Sequence, residues 1–106
     1  MTDSNRMREG EEVVTKKWGT KVEYQRWLRI NLSIAAYAYE IKGDSIIDDA
    51  KFDSLSLEVD TSIETGNKKM DTFFKREFDP STGQWIHKHP ELNVIASIYE
   101  KHYKGD

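Results

Sequence analysis

The chain has no cysteine, so disulfides, thiol nucleophiles and thiolate metal sites are excluded together, and a reducing cytoplasm suits it. Long apolar runs are missing too. The first residues, MTDSNRMREGEEVV, are polar and charged where an export signal needs an apolar stretch, and nothing approaches the length of a membrane span. A soluble, cytoplasmic protein with no membrane contact is expected. Charge of one sign is lacking as well: 19 acidic against 16 basic residues leave a net charge of -3, which gives no overall field for nucleic acid. Direct nucleic-acid binding is disfavoured. At 106 residues the chain holds one domain with a modest core, too little for a catalytic domain and an accessory one.

What is present reads as helix. Residues 1–18 form a polar arm in which only Val13, Val14 and Trp18 are available for burial. Residues 19–106 are expected to form a single helical domain. Thr20-Lys-Val-Glu23 has the capping-box pattern of a helix start. From there Trp27, Ile30, Ile34, Tyr37 and Ile41 step by three and four, with Leu28, Leu32, Ala35 and Tyr39 beside them. Gly43 suits a left-handed helix end, and Asp48 or Asp49 can cap the next helix. That second helix carries Phe52, Leu55, Val59 and Ile63, and fades at Glu64-Thr65-Gly66-Asn67.

Met70, Phe73 and Phe74 mark a third, short helix. Phe78-Asp-Pro-Ser-Thr-Gly-Gln-Trp85 reads as a polar reversal between aromatic ends, the one place, near residues 76–88, for a small β-hairpin. Pro90 opens a last helix with Leu92, Ile95, Ala96, Tyr99 and Tyr103 on one face. The expected fold is mainly α: a helical hairpin plus further short helices, with or without that β-hairpin.

Polar clusters point weakly to chemistry. His87 and His89 alternate as strand ligands do, with His102 in reserve, but a zinc site needs further strong ligands. Asp44, Asp48 and Asp49 around Gly43 do not follow the oxygen-ligand order of a calcium loop. No metal is expected. Lys16, Lys17, Lys21, Arg26 and Arg29 offer a basic patch with Trp18 and Trp27 for stacking, although the interspersed Glu23 makes a solvated face the simpler reading. No Ser-His-Asp order or nucleophile elbow is readable.

Tyr37-Ala-Tyr39-Glu40, a short turn, then Ile47-Asp-Asp49-Ala-Lys-Phe52-Asp53-Ser-Leu55 resembles the small N-terminal helical domain of NAD-dependent DNA ligases. The likeness covers about residues 28–60 and extends to small phage-encoded ligase-related proteins, which implies a viral origin. In the ligases this hairpin holds the nicotinamide mononucleotide half of NAD. The resemblance therefore implies a ligand site at Tyr39, Glu40, Asp49, Phe52 and Asp53. Tyr39, Asp49 and Asp53 match the family pattern; Glu40 stands where the family has His, and Phe52 where it has Tyr. No Lys-x-Asp-Gly nucleophile motif is present, so the chain is expected not to be an enzyme.

For Tyr37, Tyr39 and Phe52 the plain alternative is hairpin packing, and for Asp48 and Asp49 it is helix capping. Asp53, inside the second helix, has no capping role and is the more informative carboxylate. Two functions are carried, the first favoured and the second its alternative. One is a non-catalytic regulatory protein without a cofactor, contacting a protein of nucleic-acid metabolism or host defence through exposed aromatic anchors Trp18, Trp85 and Tyr103. The other is a module that binds NAD or nicotinamide mononucleotide in the ligase-like pocket, Tyr39 stacking on the nicotinamide ring.

Overall fold

A computed structural model describes the backbone of residues 20–104 and the side chains of residues 20–102. The polar arm and its Trp18 lie outside the described residues, as does the Tyr103 side chain. Thr20 begins the structure in extended conformation, φ -144° and ψ 166°, and its hydroxyl accepts the Glu23 N–H at 3.0 Å. That cap opens α1, Lys21–Lys42. Leu28 and every residue from Leu32 to Ala38 are buried, so this helix is enclosed on all sides for two turns. Of the expected stripe, Ile30 and Ile41 instead remain exposed.

Gly43 ends α1 in the left-handed region at φ 67°, a conformation in which a Cβ is disfavoured. The chain reverses through residues 43–48, and Asp48 Oδ1 accepts the Lys51 N–H at 2.8 Å to start α2, Asp49–Ser56. The expected helical hairpin is therefore present. The second arm stops earlier than the Ile63 spacing indicates. Side chains of α1 capture the backbone that follows: Gln25 takes the Glu58 carbonyl and the Asp60 N–H, and Arg29 takes the carbonyls of Asp60 and Ile63. Arg26 holds the Thr65 carbonyl in the same way. Those contacts satisfy groups that a continued helix would pair internally.

Asn67 caps α3, Lys68–Glu77, whose Phe73 and Phe74 are buried. Phe74, Phe78 and Trp85 then meet with ring centroids 5.2–5.3 Å apart. The Phe78–Trp85 pairing is as expected, but the β-hairpin is not: no strand occurs among the described residues. Trp85 donates its indole N–H to the Thr82 carbonyl at 2.7 Å, Gln84 N–H bonds Thr82 Oγ1, and Ile86 N–H bonds the Gly83 carbonyl. These local bonds consume the donors a strand ladder would need, and residues Gln84–Lys88 wind as a 3₁₀ helix.

The last helix, α4, is Leu92–Tyr99, running on as a π turn over Glu100–Lys104. Pro90 precedes it instead of occupying its first turn. Helix α4 packs against α1 and the 3₁₀ helix. Its fully buried Tyr99 lies edge-on to Tyr37 at 5.5 Å and donates its hydroxyl hydrogen to Asp44 Oδ2 at 2.7 Å. The neighbouring carboxylate and burial push the Tyr99 hydroxyl up to about 12. That bond anchors the turn between α1 and α2 to the last helix. No helix among the described residues is long and apolar enough to cross a membrane.

Candidate functional site

A cleft of about 270 Å³ opens between the outer face of α1, the first turns of α2 and the segment before the 3₁₀ helix. Five side chains that the ligase-like pattern marks, Tyr39, Glu40, Asp49, Phe52 and Asp53, all line it. The helix geometry explains the convergence. Tyr39 and Glu40 fall in the last turn of α1, while Asp49 and Asp53 are four apart on α2 and so share a face. Because Asp48 provides the N-cap, Asp49 is released from capping and is among the residues that line the cleft. Asp53 likewise caps nothing.

The base of the cleft is apolar. Ala35 and Ala36 of α1, with Ile46 and Ile47 of the connecting turn, form much of it. Phe52 is half-buried against the core and closes one side. Tyr39 is 60% exposed, so its ring is not core packing and stands available at the rim. Tyr37, two residues earlier, is buried against Tyr99 and serves the core. The paired tyrosines thus divide between packing and surface.

The charge of the cleft has one sign. Among the described residues, Glu40, Asp49 and Asp53 are its carboxyl groups, and no Lys or Arg lines it. No ion pair among the described residues involves Asp49 or Asp53. Glu40 is flanked by the His87 imidazole, 3.8 Å away on the 3₁₀ helix. An apolar base carrying uncompensated carboxylates and an exposed aromatic ring suits an organic cation with hydrogen-bond donors.

The third wall, Ser81-Thr82-Gly83, lies well beyond the end of α2 at Ser56 and was not marked in the sequence as part of a site. Asp79 Oδ1 organises it by accepting from both the Ser81 N–H at 2.9 Å and the Ser81 hydroxyl at 2.7 Å. These bonds hold the Asp79 carboxyl below its ordinary range. Gly83 comes so close to α1 that a Cβ there would sit 3.4 Å from Ala36 Cβ and 3.6 Å from Phe52 Cζ. The Asp-Pro-Ser-Thr-Gly composition signals a turn; its approach to α1 has no local signal.

Several expected surface roles are corrected. Trp85 is 4% exposed, packed between Phe74 and Phe78, and cannot serve as a surface anchor. Arg29 is not part of a solvated basic face: its guanidinium is buried over the Phe74 ring, pairs with Asp71 at 2.9 Å and is surrounded by carbonyls. Arg26 is likewise engaged, with Thr65. Lys16 and Lys17 lie outside the described residues.

The histidines do not converge. His87 is exposed beside Glu40, His102 is exposed on the π turn, and His89 is buried with its ring 5.1 Å from that of Phe73. Among the described residues no group of three or more His, Asp or Glu is placed to hold a metal ion. Burial pushes His89 down to about 4 against the pull of Glu91. Its Nδ1 accepts the Glu91 N–H at 3.0 Å, which leaves the hydrogen of the neutral ring on Nε2, a buried atom without a partner.

No protein-family model matches the chain, and neither the curated proteins nor the solved structures yield a significant match.

Proposed function

We propose that the chain is a non-catalytic binding module whose cleft takes a small organic cation bearing hydroxyl or amide groups, of the nicotinamide nucleoside class. One observation carries the reading: Tyr39, Asp49 and Asp53, from two helices, line a single cleft to which, among the described residues, no Lys or Arg contributes. In this arrangement the exposed Tyr39 ring stacks on the positively charged pyridinium. Asp49 and Asp53 accept hydrogen bonds from ribose hydroxyls or the carboxamide. Charge-assisted bonds of this kind are about twice as strong as neutral ones. The apolar base excludes water from the ring. The likeness of residues 28–60 to the ligase hairpin supports the same ligand class.

The alternative, a regulator docking on a protein of nucleic-acid metabolism or host defence, has less support among the described side chains. Of its three aromatic anchors, Trp85 is core, and Trp18 and the Tyr103 side chain lie outside them. Isothermal titration calorimetry with nicotinamide riboside tests the cleft. Saturable binding that Tyr39→Ala weakens is the expected result. No binding at millimolar ligand would overturn the proposal.

A further inference from the structure

The walls of the cleft differ in what they can offer a ligand. Among the described residues, its helical walls contribute the carboxylates of Glu40, Asp49 and Asp53, which when ionised accept hydrogen bonds and donate none. The side-chain donors that remain are hydroxyl groups, on Ser45, Ser81 and Thr82 and on Tyr39 at the rim. Both serines have their hydrogen engaged: Ser45 Oγ donates to the Ile47 carbonyl at 3.0 Å, and Ser81 Oγ to Asp79 Oδ1 at 2.7 Å. Thr82 is different. Its Oγ1 accepts the Gln84 N–H at 3.1 Å, which uses a lone pair and leaves the hydroxyl hydrogen to give.

Thr82 is also fixed in place. Its N–H donates to the Asp79 carbonyl at 3.3 Å, its carbonyl accepts the indole N–H of the buried Trp85 at 2.7 Å, and the Gln84 bond holds the side-chain oxygen. Beside it, Gly83 lies so close to α1 that a Cβ there would sit 3.4 Å from that of Ala36. A donor anchored in this way loses little freedom when it bonds a ligand. We infer that Thr82 is a specificity-determining residue of the cleft: its hydroxyl donates to a carbonyl oxygen of the ligand, so the site takes a cation bearing a carboxamide and not the corresponding carboxylic acid. The inference rests on the cleft being a cation site and adds which substituent the cation must carry.

The chemistry of the amide divides between the walls. Its NH₂ group suits an ionised carboxylate, Asp49 or Asp53, whereas its carbonyl oxygen has only lone pairs, which a carboxylate repels and a hydroxyl hydrogen satisfies. A carboxylate in the same place has no hydrogen to donate at neutral pH and brings a negative charge into a cleft to which, among the described residues, no Lys or Arg contributes. A ring without the substituent leaves the Thr82 hydrogen to water. Tyr39 is 60% exposed and its ring does the stacking, so its hydroxyl is the competing candidate for the same bond.

The test is calorimetry at pH 7.5 with nicotinamide riboside, nicotinic acid riboside and the unsubstituted pyridinium riboside, on the wild type, Thr82→Val and Thr82→Ser. The wild type should bind nicotinamide riboside about fivefold more tightly than the unsubstituted riboside, the usual net worth of one neutral hydrogen bond. Nicotinic acid riboside should bind roughly tenfold or more weakly than the amide, because its charge is repelled. Thr82→Val keeps the shape of the side chain and should weaken nicotinamide riboside about fivefold while leaving the unsubstituted riboside unchanged. Thr82→Ser restores the hydroxyl and should restore the preference. Equal weakening of both ligands by Thr82→Val would mean that Thr82 only supports the wall, and an amide preference that survives in Thr82→Val would assign the donor elsewhere, to Tyr39 first. Either result overturns the role of Thr82 and leaves the cation site standing. Absence of binding by all three ligands overturns the cation site and this inference with it.

Discussion

Arg29 and Asp71 meet at 2.9 Å with side chains 4% and 12% exposed, joining α1 to α3 beneath the segment 57–67. The same guanidinium donates to the Asp60 and Ile63 carbonyls, and the same carboxylate accepts from the Thr65 N–H and hydroxyl. A buried cation so placed is stable only while its counter-charge is present. Asp71→Ala should therefore destabilise the fold by about 3–5 kcal/mol, read by urea unfolding. Replacing Arg29 and Asp71 together by Met and Leu should cost much less than Asp71→Ala alone. A loss in the double variant equal to the sum of the losses of Asp71→Ala and Arg29→Met measured singly would show that the pair is not coupled.

The acid limb of stability should have two parts. His89 is pushed from 6.5 to about 4 by burial, so the unfolded chain binds the extra proton between those values. Its contribution is complete above about 6.5 and declines as the pH falls toward 4. Asp71 acts below that. Burial alone would raise its carboxyl, but the bonds from Thr65 and the Arg29 guanidinium outweigh burial and hold it below the ordinary range. Its contribution is present above the unfolded value near 3.9 and is lost as the pH falls further. Urea midpoints measured from pH 7 to pH 3 should decline across both ranges. His89→Phe should flatten the segment between 6.5 and 4; an unchanged slope would assign it to another group.

The parts of the fold legible in the sequence are those whose causes are local. Thr20, Gly43 and Asp48 act on backbone groups within a few residues, so the helical hairpin and its turn are readable from spacing alone. Arg29 was not readable. A charge on an amphipathic helix ordinarily faces water, and only the Asp71 carboxylate and carbonyls more than thirty residues away make its burial stable. Trp85 misleads for a related reason: it follows a polar turn, and its core neighbours Phe74 and Phe78 arrive from α3. Within the cleft, the two helical walls follow from the hairpin, whereas the Ser81–Gly83 wall depends on where the chain returns after α3.

That returning wall supplies a steric test. Gly83 has φ -103°, which alanine adopts readily, so its place is set by space rather than by backbone conformation. The added methyl would lie 3.4 Å from Ala36 and 3.6 Å from Phe52, narrowing the apolar base. Gly83→Ala should change stability by no more than about 1 kcal/mol, because reduced freedom of the unfolded chain offsets the crowding. Affinity for nicotinamide riboside should nevertheless fall about fivefold or more, equivalent to roughly 1 kcal/mol. Undiminished affinity would place the ligand away from this wall.

Glu40 should decide between nucleoside and nucleotide. Its side chain is mostly shielded from water and lines the cleft beside Tyr39. A ligand phosphate brought within about 4 Å of this carboxylate meets a repulsion of roughly 4 kcal/mol at an effective dielectric near 20. Nicotinamide riboside is therefore expected to bind more tightly than nicotinamide mononucleotide at neutral pH. Glu40→His removes the repulsion and offers a nitrogen donor, so it should improve the mononucleotide by about 1 kcal/mol or more. The same change should weaken the riboside, which loses a carboxylate. Asp53→Ala supplies the control: the side chain is exposed and caps no helix, so the fold should persist while both ligands bind less well. If Glu40→His leaves the ratio of the two affinities unchanged, the phosphate lies away from Glu40, and the charge of the cleft does not select between them.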